Sequence, residues 1–361
     1  MQLLDSRILY EIPRGENNPR NSEGSFVRLK DGGILFAYSR YTGSSDHDDA
    51  ACDIAAVYAP DGEHFGDLRI LATAAEHGVQ NIMSVTLLRL GNGDIGLFYL
   101  IKHDWDGTSS FVLRRSTDEG QTLSEPVQCL PDHFPAYYVV NNDRVLQTSD
   151  GRLLIPAALH RVGSFDGKPR MDYRAGVCFF VSDDDGKTFH ELGKPLNMPV
   201  CSETGLQEPG LSELPGGALY AYFRTDRMCQ YESVSLNGGK TWFMPQPSAF
   251  SSPASPMKIA RNPYTGLYYA VWNPIPAYNG RITDPDEQWI SAGRTPLVIA
   301  ESENGVDFSA PVVLENDPTH GYCYPAICFT GDKEMLLSYC SGGAADGMCL
   351  TRTTIRKIVL E

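Results

Sequence analysis

Two short motifs alternate along the chain, and this alternation constrains the fold more than any other feature of the sequence. The first motif is an apolar residue, a turn rich in Gly, Asp or Asn, and then a run rich in aromatic and branched residues. Its six copies are LKDGGILFAYS from 29, LGNGDIGLFYL from 90, QTSDGRLLIPA from 147, LPGGALYAYF from 214, NPYTGLYYAVW from 262 and TGDKEMLLSYC from 330. Each copy predicts a tight β-hairpin, because these turn residues tolerate positive φ and the following residues favour strands.

The second motif approximates Ser-x-Asp-x-Gly-x-Thr-aromatic and falls between successive hairpins. It reads STDEGQTL from 116, SDDDGKTF from 182, SLNGGKTW from 235, a shortened SENGVDF from 302 and a degenerate YAPDGEHF from 58. Its Asp or Asn and its hydroxyls can bind turn backbone groups. Repetition of both motifs at roughly 50 to 66 residues predicts an all-β chain built as a six-bladed β-propeller. We expect one domain over residues 1–361, with the C-terminal segment MCLTRTTIRKIVLE pairing near the first strand.

The net charge and the cysteine content of the chain limit which classes of partner and which compartment we expect. The formal net charge of −15 argues against nucleic acid and anionic membranes, although an anionic small substrate remains compatible if arginines are concentrated locally. The chain has no long apolar run and no basic-then-apolar leader, and its nine cysteines form no C-x-x-C pattern. We therefore expect a cytoplasmic protein with reduced thiols, no metal site and no cofactor; the sequence leaves the oligomeric state open.

One hairpin carries charges at both of its ends. In EPGLSELPGGALYAYFR a glutamate, Glu208, opens the first strand and Arg224 closes the second. Together with the repeated Asp motifs, this pattern resembles the sialidase (neuraminidase) superfamily. The resemblance implies a retaining exo-glycosidase that releases a terminal acidic sugar from a glycan. Such enzymes use a tyrosine nucleophile with a glutamate base, an aspartic acid as proton donor and three arginines that bind the substrate carboxylate. An uncharged tyrosine suits a sugar that carries its own carboxylate, and the planar fork of arginine binds carboxylate through two hydrogen bonds.

The resemblance assigns roles to particular residues. Glu208 corresponds to the base, Arg224 to the second arginine and Arg294, in AGRTPLVIAES, to the third. In GYCYPAICF, Tyr324 corresponds to the nucleophile, with Tyr322 as the alternative two residues earlier on the same strand face.

The proton donor and the first arginine are less clearly marked. The loop SRYTGSSDHDDAACDIAAVY offers Asp46 as the donor, with Asp48 as the next choice. The family's Arg-Ile-Pro is missing, because Ile12-Pro13 follows a glutamate; Arg20, followed by Glu23, stands nearer the expected distance. Because of this departure, the expected substrate is sialic acid or a related acidic sugar, and a different pocket chemistry becomes more plausible.

Further polar residues precede strands at matching places and could join the same pocket. They are Asn81, Asn141, Asn142, Arg144 and His160, of which Asn142 is the strongest candidate for substrate binding. Two segments that break the repeat, residues 161–173 and the Pro-rich residues 273–294 with Trp289, are expected to line the binding face.

Two other functions remain compatible with the sequence. The first is a carbohydrate-binding propeller that has lost catalysis, and the missing Arg-Ile-Pro favours it. The second is a propeller hydrolase or lyase acting on uronic-acid glycans, which would keep arginines but would not need a paired tyrosine and glutamate.

Overall fold

The described residues form β-strands and two short 3-10 helices, Ala74–His77 and Ala344–Asp346. The structure was obtained as a computed structural model, which describes residues 1–104, 107–131, 136–275 and 292–361. Within these ranges there is no α-helix, and none of the described helices is long or apolar enough to cross a membrane. The all-β prediction is confirmed.

The described strands form five sheets, of which the largest has eight strands. This sheet consists of two antiparallel groups that meet at one parallel bridge between Cys52 and Asn81. The strands therefore fall into six groups in chain order. Strand β1 (Leu3–Ile12) opens the chain, and group one follows with β2 (Asn21–Arg28), β3 (Ile34–Tyr41), β4 (Cys52–Ala59) and β5 (Gly66–Ala72). Group two contains β6 (Asn81–Arg89), β7 (Ile95–Lys102), β8 (Ser109–Ser116) and β9 (Val127–Gln128).

The third group is the longest, because the insertion after residue 160 adds a hairpin to it. It contains β10 (Ala136–Val139), β11 (Leu146–Gln147), β12 (Leu153–Phe165), β13 (Lys168–Met171), β14 (Gly176–Ser182) and β15 (His190–Glu191). Group four has β16 (Gln207–Glu213), β17 (Leu219–Arg224), β18 (Cys229–Ser235) and β19 (Gln246–Ser251). Group five has β20 (Lys258–Arg261), β21 (Tyr268–Trp272), β22 (Leu297–Ser302) and β23 (Val312–Glu315). Group six has β24 (Cys323–Phe329), β25 (Glu334–Cys340) and β26 (Thr353–Leu360), and its fourth strand is β1.

Both sequence motifs occupy fixed places in these groups. In five groups the hairpin motif joins the first two strands, for example β2 to β3 and β16 to β17, and in group three it joins β11 to β12. The five Asp motifs join the last two strands, for example β14 to β15. In that turn Ser182 Oγ accepts a hydrogen bond from Gly186 N at 2.7 Å, and Asp184 accepts from the backbone and hydroxyl of Thr188 at 2.9 and 2.6 Å. The motif is thus a self-contained turn whose polar side chains satisfy its own backbone.

The chain ends pair with each other. Strand β1 runs antiparallel to β26, with Leu3 opposite Leu360 and Ile12 opposite Thr353. The prediction that the C-terminal segment pairs near the first strand is confirmed. The closed six-bladed ring stays a prediction, because no sheet of the described residues closes on itself.

The apolar core lies between neighbouring groups rather than at one centre. One cluster joins groups four and five through Tyr220 and Tyr268, and another joins groups one and two through Leu35 and Leu97. A third cluster, which includes the fully buried Phe36, joins groups one and six. Each sheet therefore buries a face against its neighbours, which fixes the relative positions of their first strands.

Candidate functional site

A cavity of about 460 Å³ lies where the first strands of several groups begin. Among the described residues, its lining includes Glu23 from β2, Ser84 from β6, Glu208 from β16 and Tyr324 from β24. All four have left-handed backbone, with φ of 57°, 58°, 45° and 54° respectively.

A repeated β-bulge explains this conformation. In each of these strands the register with the second strand shifts at this point, between Ser22 and Ser25 in β2 and between Cys323 and Ala326 in β24. The equivalent shifts occur in β6 and β16. A bulge re-aims the side chain of its extra residue, and left-handed conformations of non-glycine residues are costly unless the surroundings hold them in place. The bulges therefore bring side chains from four separate strands into one cavity.

A short contact in the cavity joins a tyrosine to a carboxylate. Tyr324 Oη donates to Glu208 Oε1 at 2.7 Å, and Arg224 Nη1 donates to the same oxygen at 2.7 Å. Asn141 Nδ2 lies 3.5 Å from this oxygen as well. Tyr324 and Glu208 are 7% and 8% exposed. The pair is therefore a buried phenol held against a carboxylate that already has a cationic partner.

The charges around this pair hold it as a neutral tyrosine beside an ionised glutamate. Burial would raise the pKa of Glu208, but the guanidinium groups of Arg224 and Arg294 outweigh it and keep the pKa below its ordinary value. Burial, reinforced by the Glu208 charge, raises the pKa of Tyr324 well above that of free tyrosine. The phenol keeps its proton at neutral pH, and the acceptor for that proton is already in contact.

Arg294 lies on the other side of the tyrosine. Its Cζ is 5.6 Å from the centroid of the Tyr324 ring, and its Nη1 donates to Cys323 Sγ at 3.2 Å. The residue is 7% exposed and lines the cavity. Two arginines from separate groups thus face the same space, and both carry charge that a carboxylate ligand could share.

Arg20 belongs to a second set of contacts at the edge of the cavity. It is 1% exposed, and its guanidinium donates to Asp48 Oδ1 at 2.6 Å and to Glu23 Oε1 at 3.1 Å. Glu23 also accepts from Ser84 Oγ at 2.8 Å. Glu23 and Asp48 line the cavity, whereas Arg20 is absent from its described lining. The predicted first arginine is therefore engaged by two carboxylates of its own chain.

Asp48 stands at the mouth of the cavity, with its side chain 61% exposed. The surrounding protein opposes its ionisation, but Arg20 and Lys102 outweigh this and hold the pKa of Asp48 well below its ordinary value. Burial raises the pKa of Glu23 despite the neighbouring Arg20. The pKa values of the two carboxyl groups that share Arg20 are therefore shifted in opposite directions.

The structure does not bring Tyr322 to the cavity. Its ring packs against Tyr339 at 6.0 Å and stacks with His320 at 6.4 Å, within an apolar cluster. The prediction placed Tyr322 and Tyr324 on one strand face, as in a regular strand. It is wrong because the bulge at Tyr324 breaks the two-residue alternation.

Two further predicted residues contribute without lining the cavity. Asp46 accepts from Arg20 through its backbone oxygen at 3.2 Å, and its side chain is not part of the described lining. Asn142 Nδ2 donates to the backbone oxygens of Gly24 and Tyr324 at 2.8 and 3.2 Å, so it ties two first strands together instead of facing a ligand. Its neighbour Asn141 reaches the cavity.

Several cavity residues carry no signal in the sequence. Lys102 donates to the Asp48 backbone oxygen at 2.7 Å and to Asp49 Oδ1 at 3.2 Å, and Tyr137 and Ser84 line the wall. The insertion predicted to reach the binding face does supply lining residues, Met171 and Tyr173. Residues 276–291, including Trp289, lie outside the described part of the chain. A strand-end lysine or serine looks like any other in a single sequence, so only the fold could have identified these residues.

The described residues contain no group of three or more His, Cys, Asp or Glu side chains placed to hold a metal ion. His160, also named from the sequence, lines the cavity, whereas Asn81 supports the loop of Asp48 by donating to its backbone oxygen at 3.0 Å. The groups that line the cavity include arginine, carboxylate and phenol groups together with His160 and Lys102.

Solved structures share this fold. The chain is similar to a protein of unknown function from Dyadobacter fermentans, with a TM-score of 0.72, 16% identity, and coverage of 99% of this chain and 100% of that one. It is similar to a Hadza microbial sialidase, with a TM-score of 0.73, 16% identity, and coverage of 95% and 66%. A leech intramolecular trans-sialidase in complex with 2,7-anhydro-Neu5Ac gives a TM-score of 0.69, 13% identity, and coverage of 98% and 70%. The chain thus spans about two thirds of these two sialidases.

No curated protein sequence matches the chain. The resemblance to the sialidase superfamily, inferred from the Asp motifs and the Glu208 hairpin, is confirmed by the family match and by the neighbouring structures. The model of the BNR repeat-like domain matches residues 37–337. Because this match covers most of the chain, the protein belongs to the BNR repeat-like domain family.

Proposed function

We propose that this protein is a sialidase-like retaining exo-glycosidase that releases a terminal acidic sugar from a glycan. The observation that carries the proposal is the buried contact of 2.7 Å between Tyr324 Oη and Glu208 Oε1, with Arg224 bound to the same oxygen. A carbohydrate-binding site has no need of a phenol held against an ionised carboxylate. A nucleophilic tyrosine needs this arrangement, because its proton must leave as the bond to the sugar forms.

In the first step Glu208 takes the proton of Tyr324 while the tyrosine oxygen attacks the anomeric carbon and the bond to the leaving group breaks. In the second step water attacks the same carbon and gives a proton to the Asp48 carboxylate. The bond between that carbon and the tyrosine oxygen breaks, and Glu208 returns its proton to Tyr324. Two displacements at one carbon retain its configuration. The neighbouring Arg224 and Arg294 stabilise the phenolate character that develops on Tyr324.

The same arginines are suited to bind the carboxylate of the substrate. Arg224 and Arg294 both line the cavity. Arg20 completes the set if the substrate carboxylate displaces Asp48 from its guanidinium, 2.6 Å away. Asp48 is then released beside the scissile bond and becomes the proton donor. Asp46 is a poorer donor, because only its backbone oxygen contacts Arg20.

The six strand groups are, in this proposal, six blades around a central axis on which the cavity lies. In support, β2 contacts both β6 and β24, and β20 contacts both β16 and β24, so first strands touch between groups one and two, four and five, five and six, and six and one. The four bulged residues of the cavity come from four of these strands. The structures named sialidases support the assignment of fold and reaction class, at 13% to 16% identity.

The proposal is tested with aryl glycosides of sialic acids and of uronic acids. We expect release of aryl alcohol from a sialic or related nonulosonic acid, with retained configuration in the first product observed by NMR. Tyr324→Phe should lower kcat by at least about a thousandfold with little change in substrate binding, because only the nucleophilic oxygen is removed.

Tyr322→Phe is the matched control, since it removes the hydroxyl of a tyrosine two residues away that is absent from the described lining. It should turn over at close to the original rate. Near-normal turnover by Tyr324→Phe would contradict the proposed mechanism. Cleavage of uronic acid substrates alone would favour the uronic-acid hydrolase or lyase, and binding of acidic sugars without any turnover would favour a carbohydrate-binding propeller.

A further inference from the structure

A second cavity, of about 550 Å³, lies at the opposite end of the same strands. Its lining includes residues 211–213 at the end of β16, whereas Glu208 stands near the start of that strand. At about 3.3 Å per residue, Glu208 and Glu213 are separated by roughly 16 Å. The second cavity is therefore separate from the candidate active site.

Its most unusual lining residue is a buried arginine. Arg144 is 3% exposed and lines the cavity. Its Nη1 donates to the Met257 backbone oxygen at 2.7 Å and to Tyr222 Oη at 3.1 Å, and its Nε has no hydrogen-bond partner among the described residues. Both of its acceptors are uncharged. Among the residues that the structure describes, no carboxylate forms an ion pair with it.

The charged groups nearest Arg144 do not neutralise its positive charge. Asp143, its neighbour in sequence, is paired with Lys258 at 2.8 Å. Glu213 accepts from the backbone and hydroxyl of Ser149 at 2.7 and 2.8 Å. Arg261 adds a further cation at the exposed rim of the cavity. Lys258 is balanced by Asp143, and the described lining then holds two arginines, Arg144 and Arg261, against one carboxylate, Glu213, so one positive charge is left over.

A buried guanidinium without a counter-ion is costly, because it has lost its water without gaining an opposite charge. In a chain of net charge −15, such a residue beside an open cavity is most simply explained by a ligand that supplies the missing negative charge. The hydroxyl group of Ser212 offers a further polar contact in the lining. We propose that this cavity is a binding site for a small oxyanion, a phosphate, sulfate or carboxylate group, held by Arg144 with Arg261 at its rim.

The proposal is tested by equilibrium dialysis of the full-length protein with radiolabelled inorganic phosphate. We expect saturable binding at this cavity, weakened at least about tenfold by Arg144→Gln and also by Arg261→Gln, since each removes a cation from the oxyanion. Arg261 is exposed, so its variant remains informative if Arg144→Gln does not fold. Lys194→Gln makes the same change in net charge at an exposed position outside the lining and should leave binding unchanged.

A further variant separates the two cavities. Arg224→Ala removes a cation of the candidate active site and should leave phosphate binding at the second cavity intact. Competition by sulfate and by acetate then distinguishes the oxyanions that could occupy it. Loss of all binding in Arg224→Ala with normal binding in Arg144→Gln and Arg261→Gln would overturn the proposal, as would no binding at millimolar phosphate or equal affinity in all variants.

Discussion

At the level of single residues, the contact between Asp48 and Arg20 decides whether Asp48 can act as the proton donor. In the resting protein their contact at 2.6 Å holds Asp48 ionised, yet the proposed reaction needs a protonated acid at this place. A substrate carboxylate that takes over Arg20 removes the main charge that lowers the pKa of Asp48. Substrate binding would thereby prepare its own proton donor.

This coupling predicts different pH dependences for two kinetic constants. The pH profile of kcat/KM reports the free protein, in which the pKa of Asp48 is lowered by Arg20 and Lys102, whereas that of kcat reports the bound complex. Because the active form carries a protonated Asp48, activity falls as pH rises through its pKa. We expect the alkaline limb of kcat/KM to lie at lower pH than that of kcat. Coincident limbs in steady-state profiles would show that substrate does not release Asp48.

The role of Asp48 as acid predicts a dependence on the leaving group. Asp48→Ala should lower kcat about 100- to 10,000-fold for a sugar leaving group, which needs protonation, and far less for 4-nitrophenol, which does not. Asp46→Ala is the control, because its side chain is absent from the described lining. Equal losses on both substrates in Asp48→Ala would exclude Asp48 as the acid.

The site residues were predictable where a motif marks them and not elsewhere. Glu208 and Arg224 stand at the two ends of one recognisable hairpin, and the structure joins them at 2.7 Å. The resemblance favoured Tyr324 over Tyr322 but kept both on one strand face, because nothing in GYCYPAICF indicates the bulge that re-aims Tyr324. Lys102 and Ser84 reach the cavity through the packing of separate strands, which short motifs do not encode.

At the level of elements, the Asp motifs act as local turns rather than as parts of the site. The hydrogen bonds of the motif's Ser and of its Asp or Asn stay within the turn, as between Ser182 and Gly186, and none of the motif residues 182–189 lines the candidate active site. The hairpin and Asp motifs could therefore be predicted from sequence, since their signals are local. The bulges of β2, β6, β16 and β24 could not, because they depend on contacts among distant strands.

One substitution tests the structural role of the Asp motif. Ser182 is fully buried, and its Oγ accepts from Gly186 N at 2.7 Å. Ser182→Ala leaves that buried N–H without a partner, so we expect a loss of about 1–3 kcal/mol in the free energy of unfolding, measured by urea denaturation. Activity at temperatures well below Tm should be unchanged.

The control for this substitution is Ser164→Ala, at an exposed position of β12, which should change stability by less than about 0.5 kcal/mol. Equal effects of the two changes would mean that the turn does not depend on its buried hydroxyl. The same comparison can be repeated at Ser116 and Ser235, which are buried and accept from Gly120 and Gly239 in the same way.

At the level of the whole molecule, the two chain ends hold the first and last strand groups. Group six takes its fourth strand from the N-terminus, and β24 of this group supplies Tyr324 while β2 of group one supplies Glu23 to the same cavity. Arg356 of β26 donates to Ser6 Oγ at 2.9 Å across the pairing. If the six groups form a ring, the pairing of β1 with β26 is the contact that keeps it closed.

Removal of residues 1–12 tests this role of β1. The truncation deletes one strand of a ladder that runs from Leu3 to Ile12, and at about 0.5 kcal/mol for each ladder hydrogen bond the loss should reach about 4 kcal/mol in the free energy of unfolding. The exposed edge of β26 should also promote self-association, visible by light scattering. A synthetic peptide of residues 1–13 should restore Tm and activity by adding back the missing strand, whereas a scrambled peptide should not. A truncated protein with unchanged Tm, monomeric and fully active, would show that the ring does not depend on β1, and closure would then have to come from contacts between the first strands alone.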